Sequence, residues 1–87
     1  MVSRKVTVIN ESGLHLKPAA TFCKEAVKYE SLITFTCGTT TANAKSILSV
    51  LGACVKKGSE IEIVCSGSDE EAALEGLCRA VEEGLKD

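Results

Sequence analysis

Aromatic side chains are scarce in this chain: two phenylalanines, one tyrosine and no tryptophan among 87 residues. A surface that stacks nucleobases needs such side chains on a strand, and the sequence shows no such set. Basic charge is not in excess either. Ten Lys and Arg against twelve Asp and Glu give a net charge of −2 and a pI near 5.4. That balance argues against nucleic-acid binding, which rests on clustered positive charge. No apolar run approaches the ~20 residues of a membrane span. Met1-Val2-Ser3-Arg4-Lys5 leads into a strand with no signal-peptide core. The expectation is a soluble, cytoplasmic protein with no membrane insertion.

Paired cysteines are also missing. Cys23, Cys37, Cys54, Cys65 and Cys78 are odd in number, widely spaced and contain no C-x-x-C, so neither a disulfide framework nor a zinc site is indicated. Each lies in an apolar run, where a free cysteine serves as a small buried hydrophobe. A single histidine, with no evident triad partner or oxyanion loop, does not complete a hydrolase site.

What is present is aliphatic. Hydrophobic residues make up 45% of the chain, so the core is expected to be Val, Ile, Leu and Ala. Residues 1–87 suffice for one domain, burying roughly 60–65% of the unfolded surface.

Strand and helix periods alternate along the chain. Residues 4–10 alternate, with Val6 and Val8 on one face. From Leu16 to Tyr29, the positions Ala19, Phe22, Cys23, Ala26 and Val27 keep helical spacing. Leu32 to Cys37 is rich in β-formers, Gly38 permits a turn, and Thr39 to Ala42 reads as a short return strand. A short helix starts at Ser46, runs through Ile47, Leu48, Val50 and Leu51, and is expected to end at Gly52. Glu60 to Cys65 alternates again. Ser68-x-x-Glu71 then has the form of a capping box opening a last helix, lined by Leu74, Leu77, Cys78, Val81 and Leu85. The order βαββαβα predicts an α+β open-faced sandwich: a four-stranded, mostly antiparallel sheet covered on one face by three helices.

The only histidine and the only proline share one stretch, Gly13-Leu14-His15-Leu16-Lys17-Pro18-Ala19-Ala20. His15 falls at the N-cap of the first helix, with Pro18 inside its first turn. A helix start leaves N–H groups unpaired and carries partial positive charge, which suits an anion. That field and Lys17 disfavour an imidazolium, so the ring is expected to act as a neutral nucleophile. A phosphoryl group placed on it would be held by the same amides and by Lys17.

Gly-Leu-His-x-x-Pro-Ala at positions 13–19 resembles the phosphorylation site of the HPr family, the histidine-containing phosphocarriers of the bacterial phosphoenolpyruvate:sugar phosphotransferase system. Lys45-Ser46-Ile47 before a short apolar helix is similar to the family's regulatory serine segment, and the resemblance covers essentially the whole chain. It implies that His15 accepts a phosphoryl group through Nδ1 from enzyme I and passes it to IIA domains of sugar permeases. The backbone N–H of Leu16 and the cation of Lys17 would stand near the phosphate. The family usually has arginine where this chain has Lys17, so charge is kept but a planar, bidentate donor fork is lost.

A serine opening a helix is ordinarily a cap worth about 1 kcal/mol. By resemblance, Ser46 is also the target of an ATP-dependent HPr kinase/phosphorylase, which adds a catabolite-control transcription factor to the implied partners. Ser12, Ala20, Lys24, Ile47, Leu48, Leu51 and Lys56 correspond to a partner-binding surface, apolar at its centre and ringed by Lys17, Lys24, Lys45 and Lys56. The resemblance implies a monomeric phosphocarrier with no cofactor or metal, not an enzyme in its own right. The rival readings are a regulatory paralogue acting mainly through Ser46 and a small α+β binding module.

Overall fold

The computed structural model describes residues 1–85. Its elements follow in the order β1 (Val2–Thr7), α1 (Leu16–Ala26), β2 (Leu32–Cys37), β3 (Thr40–Asn43), α2 (Ile47–Gly52), β4 (Glu60–Ser66) and α3 (Glu70–Glu82). The four strands form one antiparallel sheet in the order β1-β4-β2-β3. The expected open-faced sandwich is therefore the fold observed.

Alternation explains which face is covered. Across the sheet, Val6 pairs with Ile61, Ile33 with Cys65, Phe35 with Ile63 and Phe35 with Ala42. All of these are buried, whereas the intervening Lys5, Thr7, Glu60, Leu32 and Thr41 are exposed. The helices lie on the buried side. α1 contributes Ala19, Phe22 and Ala26, and α3 contributes Ala73, Leu74, Leu77, Cys78 and Val81. Phe22 meets Phe35 edge to face, ring centres 5.4 Å apart and planes at 88°, a favoured aromatic geometry.

Several boundaries differ from the sequence expectation. β1 begins at Val2 rather than Arg4, because Val2 finds a partner in Cys65. Val8 is buried but lies beyond the strand. α1 ends at Ala26 rather than Tyr29, and Val27, expected on the apolar face, is 58% exposed. β3 sits one residue later than expected.

α2 ends at Gly52 as expected, and the chain leaves the helix through Cys54, whose φ is +54°. At α3 the capping box expected from Ser68 and Glu71 does not form. Asp69 is the N-cap, and Glu70 accepts the Gly67 N–H at 3.1 Å. Asp69 caps nothing in its own helix. Its carboxylate accepts the Glu30 and Ser31 N–H groups, both at 2.9 Å, and the Ser31 hydroxyl at 2.5 Å.

The cysteines divide. Cys65 and Cys78 are core residues, Cys23 and Cys37 are half-buried, and Cys54 is exposed. The expectation of five core cysteines thus holds for two: Cys23, on α1, and Cys37, at the end of β2, are partly covered, and Cys54 lies exposed after α2.

Candidate functional site

The loop that delivers His15 is fixed to the segment after α2. Val8 donates to Ser59 O at 2.9 Å and accepts from Gly58 N at 2.7 Å. Gly13 N donates to Asn10 O at 3.0 Å, and the Asn10 side chain donates back to Gly13 O. Gly13 has φ +62°, and a Cβ there would lie 2.3 Å from Val55 O and 2.7 Å from Lys56 Cα. Only glycine meets both demands. Leu14 donates to Val55 O at 3.0 Å and is buried, which anchors the chain one residue before His15.

His15 is the N-cap of α1, with extended backbone (φ −82°, ψ −169°) and no side-chain cap bond. Its ring is exposed and is not consumed in capping the helix it opens. The helical ladder begins with Ala19 N donating to His15 O at 2.8 Å, and Pro18 has no N–H to give. The first-turn amides ahead of that ladder are those of Leu16 and Lys17. The site thus places an exposed imidazole at the start of a helix.

Beside the ring is a shallow depression of about 540 Å³. One wall is Ser12, Leu14, His15 and Leu16; the other is Leu51, Cys54, Val55 and Lys56. The lining is mainly apolar, and Leu16 is 61% exposed.

The apolar residues of α2, expected most of the way round, divide into a core side and a presented side. Val50 enters the core, Ile47 and Leu51 are half-buried, and Leu48 is 78% exposed. Ser46 is the N-cap, and its hydroxyl accepts from Ser49 N at 3.3 Å. On α1 the outward stripe runs Leu16, Ala20 and Lys24, at spacings of four, opposite the buried Ala19, Phe22 and Ala26. α1 packs on α2, and Leu16 and Leu51 of the two helices meet at the depression.

The lysines expected to ring that surface, and those near them, differ in their settings. Lys17, Lys24 and Lys56 are exposed. Lys57 pairs with Glu11 at 2.7 Å and Lys28 with Glu25 at 2.9 Å. Lys45, expected in the basic ring, instead donates to Tyr29 O at 2.6 Å. Its ammonium meets the carbonyl end of the turn that follows α1, a favourable place for a cation. Among the described residues, no group of three His, Cys, Asp or Glu is placed to hold a metal ion, and no helix is long and apolar enough to cross a membrane.

Of the predicted site residues, Ser12, His15, Leu16, Leu51 and Lys56 line the depression. Ser46, Ile47 and Leu48 stand at the start of α2. Sequence reasoning missed Leu14, Cys54 and Val55 as lining residues. The signal for Cys54 was its place just after a short helix, where a left-handed residue commonly ends the turn.

The same framework recurs in known proteins. The family described as "PTS HPr component phosphorylation site" matches residues 2–83. Phosphocarrier protein HPr of Treponema pallidum is 40% identical over 79 residues, covering 91% of this chain and 90% of that protein. The HPr-like protein Crh of Bacillus subtilis is 37% identical over 83 residues, covering 95% and 98%; a crystal structure of Crh, a domain-swapped dimer, superposes with a TM-score of 0.78. A crystal structure of HPr from Thermoanaerobacter tengcongensis superposes with a TM-score of 0.96 at 31% identity, over 100% of this chain and 98% of that one. With the family match running over residues 2–83 and the superposition over the whole chain, the chain belongs to the HPr family of phosphocarrier proteins.

Proposed function

We propose that His15 carries a phosphoryl group from enzyme I to IIA domains of sugar permeases, as one relay in the phosphotransferase system. The observation that carries the reading is an exposed imidazole at the N-cap of α1 that makes no capping bond. In transfer, a ring nitrogen attacks phosphorus; the new N–P bond forms as the donor's bond to phosphorus breaks. The Leu16 and Lys17 amides and the Lys17 ammonium then face the incoming charge, which a helix start favours. Transfer to the next protein reverses these steps. Such a phosphoramidate is labile, as suits a group that must be handed on.

An apolar centre of Leu16, Leu48 and Leu51 rimmed by Lys17, Lys24 and Lys56 suits partners with acidic surfaces around an apolar spot. Ser46, at the edge of that surface, serves as a second phosphorylation site for HPr kinase/phosphorylase. A phosphate adds about −1.5 to −2 charge there, which repels acidic partners and slows the relay. The similarity to Crh supports this regulatory arm. A paralogue working mainly through Ser46 would have no use for His15 in its present setting, so the carrier reading is preferred. The proposed state in solution is a monomer; light scattering distinguishes it from a swapped dimer such as Crh forms.

The test uses the purified protein with enzyme I, phosphoenolpyruvate and Mg²⁺. The expected product is an acid-labile, base-stable phosphate, absent from His15→Ala. An unlabelled wild-type protein beside an active enzyme I control would remove the carrier function. ATP and the kinase should give an acid-stable phosphate, absent from Ser46→Ala.

A further inference from the structure

We propose that Cys23 is a positioning residue for the phosphorylation of Ser46, acting through the main chain of Lys45. The inference rests on the reading of Ser46 as a kinase target given above.

Lys45 immediately precedes Ser46, and each of its polar groups is held by a different partner. Its N–H donates to Asn43 Oδ1 at 2.9 Å. Its carbonyl accepts from Cys23 Sγ at 3.1 Å. Its ammonium donates to Tyr29 O at 2.6 Å. The residues on either side are fixed as well: Ala44 N donates to Ile33 O at 3.0 Å, and Ser46 N to Asn43 O at 3.1 Å. The segment before α2 is thus tied to β2 and β3 through main-chain and Asn43 contacts. Its hydrogen bonds to α1 and the turn after it come from Cys23 and from the Lys45 ammonium.

The hydroxyl of Ser46 is itself weakly fixed, since its cap bond from Ser49 N is long at 3.3 Å. The place of the nucleophile is therefore set by the backbone at residues 45 and 46. Phosphoryl transfer depends on position, and a displacement of about 1 Å can lower a rate ~100-fold. The proposed kinase contact spans α1 and the head of α2, so these two elements must be held in register. The Cys23 thiol supplies that register from the α1 side. A thiol is a weak donor, so this tie adjusts the segment and is not needed for the fold. Serine, with its shorter but stronger donor, can replace it; alanine cannot.

The experiment measures both phosphorylations on wild type, Cys23→Ala and Cys23→Ser. With ATP and HPr kinase/phosphorylase, kcat/KM at Ser46 should fall three- to tenfold in Cys23→Ala and return to within twofold of wild type in Cys23→Ser. With enzyme I and phosphoenolpyruvate, labelling of His15 should stay within twofold of wild type in both variants. Equal Ser46 kinetics in wild type and Cys23→Ala would overturn the positioning role while leaving Ser46 a kinase target. So would a parallel fall at His15, which would mark general loosening, or a Cys23→Ser variant as slow as Cys23→Ala. No phosphate on wild-type Ser46 would instead remove the regulatory reading, and this proposal with it.

Discussion

Lys17 stands where the resemblance led to the expectation of an arginine. An ammonium gives a compact point charge, whereas a guanidinium gives a planar fork that grips two phosphate oxygens at once. Lys17→Arg is expected to keep the carrier active but change its transfer rate with at least one partner. Stopped transfer assays with enzyme I and with a IIA domain measure this, and identical kinetics throughout would show that donor geometry is unimportant here. The cysteines divide as sharply in reactivity as in burial. Burial pushes the Cys65 thiol up to about 11 and raises Cys78 as well, so neither forms a thiolate at neutral pH. A thiol reagent at pH 7–8 should modify exposed Cys54 first and leave Cys65 and Cys78 unmodified until the protein unfolds. Early labelling of Cys65, mapped by mass spectrometry, would contradict the buried assignment. The motif around His15 was legible at this scale because its glycine, proline and histidine each answer a local backbone demand. The exposure of Cys54 was not, since an apolar neighbourhood in sequence does not say which way a helix end turns.

At the scale of elements, the close approach of α1 and α3 depends on Gly76. A Cβ there would lie 2.1 Å from the Tyr29 hydroxyl and 2.8 Å from Glu25 Oε2. That hydroxyl donates to Glu25 at 2.8 Å, and Lys28 bonds the other carboxylate oxygen. Burial raises the Glu25 carboxyl, but the Lys28 and Tyr29 hydrogen bonds outweigh it and leave the group below its ordinary value. Gly76→Ala must displace the tyrosine and is expected to destabilise the protein by about 1–3 kcal/mol, despite alanine's better helix propensity. Urea denaturation measures the change; a more stable variant would mean that the tyrosine moves aside freely. Nothing in the sequence marked Gly76, because it lies within a clean helical pattern. The existence and type of all seven elements were legible from period and turn chemistry. Their ends were not: α1 stops at Ala26, and α3 opens at Asp69, whose carboxylate is taken by Glu30 and Ser31 rather than by its own helix.

For the whole molecule, Asp69 joins the start of β2 to the start of α3, positions nearly forty residues apart. The Ser31 hydroxyl and the Glu30 amide are the main reasons its carboxyl sits below the ordinary value of 3.8. A group depressed on folding stabilises the native state above its ordinary value and loses that contribution as pH falls through its native value. Wild type should therefore be more stable than Asp69→Asn at pH 7, with the difference shrinking below about pH 4. Thermal melts at pH 7, 4 and 2.5 test this, and a difference independent of pH would show that the link is not electrostatic. By itself the sequence determined the element order, the fold class, the aliphatic core and the histidine at a helix start, because each follows from local period and backbone preference. Only the tertiary structure decided that β4 enters between β1 and β2, that Lys45 turns to the end of α1, and that Leu51, Cys54 and Val55 form the far wall beside His15. Those outcomes depend on contacts between distant residues, as the Gly13 stretch shows: its glycine signalled a turn, but the reason no other residue fits there is a carbonyl forty-two positions away.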